Sequence, residues 1–323
     1  MDKKGPFTVK ELKHLPAGKQ VWGKYLIIEK RERKTRDDRI IIDLKLGDSS
    51  GEIDAIVWDN CSVTGEMKAA CVIGLLGEIR TYNKRLQLNA KRIKILEEDP
   101  SEYLKTPDID IHTLIDKFDT LLDAIVNTHL KEVLHRIFSS EIREKFFKSP
   151  AAKSIHHNYI GGLLEHTLSV AELCSRAADS YPFLNKDLLL AGAILHDLGK
   201  IMEIELEVVP SYSVEGRLMG HIVLGSELLS TYIKQMRKDN IAFPEKLEWM
   251  LKHMILSHHG NLEYGSPVIP LFPEAFVLYM MDNLDAKLFV YKNKIEEDDS
   301  DDEFFSAYDK FFGQYFFKYR YQE

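Results

Sequence analysis

Hydrophobic periodicity changes once along this chain, and that change limits what it can fold into. Between residues 20 and 96, apolar side chains recur at every second position. In Arg39 to Leu46, Ile40, Ile42, Leu44 and Leu46 share one face, while Arg39, Asp43 and Lys45 share the other. Gly47 to Gly51 is a turn cluster, followed by Glu52 to Trp58 with Ile53, Ala55 and Val57 on the inward side. Cys71 to Ile79 and Leu86 to Ala90 are joined through a hairpin at Tyr82 to Lys84, and Val21 to Lys30 is the first strand. Such alternation marks half-buried strands. About five short strands in one span close naturally as a Greek-key barrel of the OB type. The polar segment Asn60 to Lys68 fits the helix that these barrels place between their third and fourth strands.

From residue 111 the period becomes helical. Candidate helices are 111–126, 131–147, 163–178, 188–198, 221–236, 245–256 and 274–290, with Gly161-Gly162, Gly199, Gly220 and Gly260 at their ends. The intervening Glu97 to Asp110, broken by Pro100 and Pro107, is a linker. The expected architecture is multidomain α+β: a five-stranded OB-type β-barrel over residues 1–96, a linker over 97–110, and an all-α helical bundle over 111–323. The acidic run 296–303 is expected as a solvated loop. The aromatic stretch from Phe304 to Tyr321 is expected in core packing or a subunit contact.

Composition narrows the class. A chain of 323 residues with 45% hydrophobic and 29% charged residues is an ordinary globular protein with enough apolar mass for a core. No stretch approaches eighteen uninterrupted apolar residues, and Met1 to Gly5 has no apolar segment of a signal peptide. Neither membrane spans nor a secretion signal is expected. Three cysteines without C-x-x-C spacing read as reduced thiols in a cytoplasmic protein. Charge is divided unevenly. Residues 1–96 hold 20 Lys and Arg against 13 Asp and Glu, whereas the remainder holds 23 against 38. A basic module joined to an acidic one points to a polyanionic partner for the first.

Chemistry concentrates at His196-Asp197, in the apolar run Leu188 to Lys200. Adjacent ionisable groups beside a buried helix are costly unless they are paired or bind a metal. Histidine offers an imidazole nitrogen and aspartate a carboxylate able to bridge two cations. His166, His221, His258, His259 and Asp282 flank the pair, and eight of the twelve histidines fall between positions 156 and 259. An all-His/Asp donor set without thiolate suits Mn²⁺ first, with Fe²⁺, Co²⁺ or Mg²⁺ as alternatives. Two such ions about 3.5–4 Å apart steady both oxygens of an in-line phosphoryl displacement. Lys200, four residues after His196, is placed to meet a phosphate oxygen if the helix continues.

The ordered set His166, His196-Asp197, His221, His258-His259 and Asp282 resembles the HD superfamily of metal-dependent phosphohydrolases, over residues 150–290. The resemblance implies a first ion held by His166, His196, Asp197 and Asp282. It implies a second held by Asp197, His221 and His258 or His259. Asp197 and Lys200 are the catalytic candidates. Asp285, one turn past Asp282, is the alternative to it. His253 is expected as a supporting histidine and His156-His157 as cleft or surface residues.

In the basic module, Lys30, Arg33, Lys34 and Arg36 are expected in the loop after the first strand, and Lys84-Arg85 in the last hairpin. Trp22, Tyr25, Trp58 and Tyr82 are available as stacking platforms. Of these, Tyr25 and Trp58 are taken with the six cations as the nucleic-acid contacts. The segments Glu29-Lys30, Lys34 to Arg36, Asp43 to Leu46, Gly51 to Ala55 and Val57 to Asn60 resemble the barrel of the YhaM-type 3′–5′ exoribonucleases. Tyr159 to Val170, Asp187 to Lys200, Gly216 to Gly225 and Ile255 to Gly260 extend the likeness over nearly the whole chain, with a departure at Asp37-Asp38. That resemblance implies metal-dependent removal of nucleotides from RNA 3′ ends, with single-stranded DNA a second candidate substrate. A homo-oligomer is a candidate assembly. Two other readings compete. One is a nucleotide phosphohydrolase or cyclic-nucleotide phosphodiesterase with an accessory barrel; the other is a non-catalytic single-strand-binding protein.

Overall fold

A computed structural model of the chain describes residues 5–34, 38–82, 85–104, 109–139, 141–151, 159–205, 209–296, 298, 302–309 and 312–318. The chain divides into two compact units, residues 1–105 with 291–323, and residues 106–290.

In the first unit, β1 (Gln20–Lys34), β2 (Ile40–Asp48), β3 (Gly51–Thr64), β4 (Val72–Tyr82) and β5 (Arg85–Leu96) form a closed barrel in the order β1-β2-β3-β5-β4. All pairs are antiparallel except β3 with β5. Val21, Tyr25 and Ile27 of β1 meet Leu44, Leu46, Ile53, Ala55 and Val57 in the interior. Complete burial of one such aliphatic side chain is worth about 1.5–3 kcal/mol. The single turn α1 (Val9–Leu12) carries a reciprocal Thr8–Glu11 capping box, and its Val9 amide donates to the Asp48 carboxylate at 2.8 Å.

Two expectations for this unit fail. Asn60 to Lys68 is not a helix: Asn60 to Thr64 prolong β3, where Ser62, Val63 and Thr64 pair in parallel with Arg92, Ile93 and Lys94. Lys30 to Lys34 is not a loop. It is the end of β1, with Lys34 opposite Ile40, and that position beyond the barrel interior leaves Ile40 exposed. A 3₁₀ turn at Pro100–Tyr103 follows the barrel within the expected linker.

The second unit is built from helices α2 (Ile111–Ala124), α3 (Thr128–Phe138), α4 (Glu141–Lys148), α5 (Gly162–Ser180), α6 (Lys186–Leu195), α7 (Lys200–Glu203), α8 (Val214–Lys238), α9 (Glu245–Ser257) and α10 (Pro273–Glu296). Asp110, Asn127, Asn185 and Ser213 cap α2, α3, α6 and α8 with side-chain oxygens. A two-residue ribbon pairs β6 (Ile204–Glu205) with β7 (Ser211–Tyr212). Every residue of α6 from Leu188 to Leu195 is buried, so this helix forms the axis of the core. The expected helix 131–147 is two helices, because α3 ends at Ser139. Past Glu296 the described residues contain no helix, only isolated bridges Phe305–Phe317 and Asp309–Gln314, in contrast to the all-α expectation to residue 323. No helix among the described residues is long and apolar enough to cross a membrane.

Candidate metal centre

His196 and Asp197 lie in the turn that follows α6, not within a helix as the sequence suggested. The last carbonyls of a helix lack intrahelical partners. His196 Nδ1 meets one of them, Ala193 O, at 2.7 Å. Because a carbonyl only accepts, Nδ1 carries the proton and Nε2 presents its lone pair inward. His258 repeats the device after α9, with Nδ1 on Ile255 O at 2.7 Å. His259 Nδ1 reaches Tyr264 O at 3.0 Å.

His221 is brought to the same place by two glycines. Gly199 packs so closely on α8 that a Cβ there would sit 2.0 Å from His221 O and 2.6 Å from Gly225 N. Gly220 breaks α8 with φ 72 and ψ 156, a conformation open to glycine and costly for other residues. The break turns the His221 amide outward, where Glu203 Oε1 accepts it at 3.1 Å. The same carboxylate holds His221 Nδ1 at 3.2 Å. Glu203 therefore caps the second half of α8 and orients its histidine.

His166 projects from α5 toward two aspartates one turn apart on α10. Asp285 Oδ2 takes Nδ1 at 2.7 Å, and Asp282 Oδ1 lies 3.1 Å from Nε2. Ser169 donates to the other oxygen of Asp285. Asp282 is thus the carboxylate on the ligand side of the imidazole, and Asp285 the one behind it. Neither Glu203 nor Asp285 was singled out as an orienting group from sequence.

Asp197 sits between the two groups. Its Oδ2 is 3.3 Å from His196 Nε2 and 3.6 Å from His166 Nε2. Its Oδ1 is 3.4 Å from His221 Nε2 and 3.6 Å from His258 Nε2. Two sets of donor atoms, from His166, His196 and Asp197 and from His221, His258 and His259, each lie within 4.8 Å of one another. Asp197 Oδ1, His221 Nε2 and His258 Nε2 are buried and hydrogen-bonded to nothing. Three orphaned polar atoms converging on one point would be expensive in a protein interior. A divalent cation satisfies all three, so the residues fit the metal their chemistry implies.

Electrostatics agree with that fit. Burial alone would raise the Asp197 carboxyl, but Lys200 and His196 hold it well below the usual range. Asp282 is likewise held down, against burial, by His166 and His196. Burial, together with neighbouring imidazoles, pushes His258 and His259 down, favouring the neutral form a metal requires. His166 behaves oppositely: burial disfavours its charge, yet Asp282 and Asp285 outweigh it and push the imidazole up to about 9.

Other expected residues fall differently. Lys200 is buried, with Nζ 2.6 Å from Asp197 Oδ2, so its ammonium serves that carboxylate where a phosphate contact was expected. His253 Nε2 accepts from Leu271 N at 3.0 Å and supports a loop. Tyr25 is not a stacking platform. It is fully buried, its hydroxyl donates to Phe7 O at 2.8 Å, and only a glycine at Gly23 leaves room for it. Lys30 and Arg33 are ion-paired with Glu32 and Asp43 at 2.9 and 2.5 Å. Lys34 is exposed at the end of β1, and Trp58 is half-buried. Arg36, Lys84, the Arg85 side chain and His156-His157 lie outside the described residues.

The HD domain family matches residues 163–287, the segment that contains the whole ligand set. Over 296 residues the chain is 34% identical to the 3′–5′ exoribonuclease YhaM of Geobacillus sp. (strain WCH70), covering 89% of each protein. Over 286 residues it is 34% identical to the 3′–5′ exoribonuclease YhaM of Bacillus subtilis (strain 168), covering 86% of this chain and 88% of that one. Among solved structures, the second OB-fold domain of replication protein A from Methanococcus maripaludis aligns with 29% of this chain and 96% of its own, at 19% identity and a TM-score of 0.23. The barrel is assigned from its own strand order. Likeness to both bacterial enzymes over 86–89% of the chain, with the His and Asp cluster inside the matched HD segment, means that the chain belongs to the YhaM family of 3′–5′ exoribonucleases.

Proposed function

We propose that this chain hydrolyses RNA from its 3′ end with two divalent ions that share Asp197. His166, His196, Asp197 and Asp282 would hold the first ion; Asp197 and His221, with His258, His259 or both, would hold the second. The observation that carries this reading is the division of Asp197: each oxygen faces a different set of imidazoles. When bound, such a pair of ions lowers the pKa of a water and steadies the attacking and leaving oxygens of the phosphodiester. The protein's own groups prepare the site. Glu203, Asp285 and the carbonyls of Ala193 and Ile255 fix the imidazoles with Nε2 inward. Lys200 offsets part of the negative charge gathered by Asp197 and Asp282.

Mn²⁺ is the favoured occupant, since the donors are nitrogen and carboxylate oxygen without thiolate; Fe²⁺, Co²⁺ and Mg²⁺ are the alternatives. Single-stranded DNA offers the same phosphodiester and is the second substrate to assay. The reading includes a cytoplasmic enzyme that self-associates through its exposed aromatics, among them Phe304, Phe305 and Tyr315. The test is laddering of single-stranded RNA labelled at its 5′ end, with and without Mn²⁺. Progressive shortening from the 3′ end is expected. Shortening from the 5′ end, or none with any of the four metals, would overturn the proposal.

A further inference from the structure

The barrel presents two outward faces whose cations are used differently. On the face of β1, β2 and β3, register sets Arg31 opposite Asp43 and Glu29 opposite Lys45, which lies opposite Asp54. Three cations there hold a carboxylate: Arg31 with Glu29 at 2.8 Å, Arg33 with Asp43 at 2.5 Å, Lys45 with Glu52 at 2.6 Å. Arg39 and Asp54 lie on the same side, so four carboxylates stand against four cations. Such a surface offers a polyanion no net charge.

The face of β1, β4 and β5 has the opposite balance. Trp22 lies opposite Leu76 and Leu76 opposite Arg92; two residues along, Lys24 lies opposite Gly74 and Gly74 opposite Lys94. Directly opposed residues project to the same side of a sheet, so these six share one surface. Trp22 is 39% exposed and Leu76 38%, and Arg92 and Lys94 are exposed as well. Two carboxylates occur on this face. Glu98 is held by Lys24 at 2.6 Å, and Glu78 by both Arg80 and Lys91 at 2.7 and 3.0 Å. Among the described residues, Arg92 and Lys94 hold no carboxylate, and they lie on the same face as an exposed indole. Gly74 lies between Lys24 and Lys94 in the register, and the Leu96 side chain packs over it, 3.6 Å from where a Cβ would stand.

We infer that this β1–β4–β5 face is the surface on which the barrel holds single-stranded RNA, with bases on Trp22 and Leu76 and phosphates on Arg92 and Lys94. Stacking on an aromatic ring tolerates any base, and cations beside it follow the backbone, which suits an enzyme that must accept every sequence. The inference rests on the exoribonuclease reading and places the grip away from the paired charges of Lys30 to Arg33.

The experiment uses the full chain with EDTA and a fluorescent 20-nucleotide oligouridylate, read by anisotropy across a salt series. Replacing Arg92 and Lys94 together with alanine should weaken binding about twentyfold at 0.1 M salt and reduce the log–log salt slope by about 1.4, roughly 0.7 for each phosphate contact. Trp22→Ala should weaken it about fivefold or more with little change of slope. Arg31→Ala with Lys45→Ala, on the other face, should leave affinity within about twofold. Wild-type affinity and slope in the Arg92/Lys94 variant, or an equal loss in the Arg31/Lys45 variant, would overturn the inference. If the wild type with Mn²⁺ still shortens the oligomer from its 3′ end, that failure concerns the surface alone. A wild type that does not shorten it overturns the exoribonuclease reading.

Discussion

Glu203→Gln should weaken the second metal ion while sparing the first. The carboxylate takes two donors from one residue, the His221 amide at 3.1 Å and the imidazole Nδ1 at 3.2 Å. Glutamine keeps the shape and one acceptor, but its NH₂ then faces a ring nitrogen that already bears a proton. Either the imidazole turns or its tautomer flips, and Nε2 no longer offers its lone pair beside Asp197 Oδ1. Losing an outer-shell partner of this kind lowers metal affinity by about 10–100-fold, or roughly 1.4–2.7 kcal/mol. The first ion has its own support, because His166 is held by Asp285 and His196 by a backbone carbonyl. Calorimetric Mn²⁺ titration of the RNA-free protein separates the two steps, with His221→Ala as reference for loss of the second. Equal weakening of both steps, or of neither, would refute the assignment of Glu203 to His221.

Further outcomes follow from the same geometry. Asp285→Asn is the counterpart: it should weaken the first ion by about tenfold or more and leave the second within about twofold, in the same titration. Mn²⁺ binding at pH 7.5 should release close to one proton from His166. Its pKa of about 9 leaves it charged at that pH, and a ligand must be neutral. The release should fall to about half near pH 9 and fade above it as the metal-free imidazole becomes neutral, and titrations in buffers of different ionisation heat count it. His258 and His259, pushed down, add nothing at pH 7.5. Gly220→Ala should cost about 1–3 kcal/mol of stability, read by denaturant unfolding, because φ 72 with ψ 156 strains any residue with a Cβ.

Much of the site was legible because its ligands are the costly residue types and recur in order. What was not legible depends on partners distant in the chain. Glu203 looks like an ordinary helical carboxylate, and Asp285 like a substitute for Asp282, until folding sets them against His221 and His166, 18 and 119 residues away. Asn60 to Thr64 has the polarity of a surface helix, and only its parallel pairing with β5 makes it a strand. Other misses had a local signal. Val21, Gly23, Tyr25 and Ile27 alternate, which places Tyr25 with the inward residues. Glu29, Arg31 and Arg33 fall on one side of β1 opposite Lys45, Asp43 and Ile41, so the charges of that run meet partners across the strands. The Gly220 break was visible as a glycine, but its purpose, freeing the His221 amide for Glu203, was not.

The central claim is that Asp197 joins two ions in one site, and diffraction at the manganese absorption edge from crystals of the full chain grown with Mn²⁺ tests it most directly. The account predicts two anomalous peaks about 3.5–4 Å apart, one beside Asp197 Oδ2 with His166, His196 and Asp282, the other beside Oδ1 with His221 and His258 or His259. A single peak at saturating Mn²⁺, or two peaks that do not share Asp197, would contradict it.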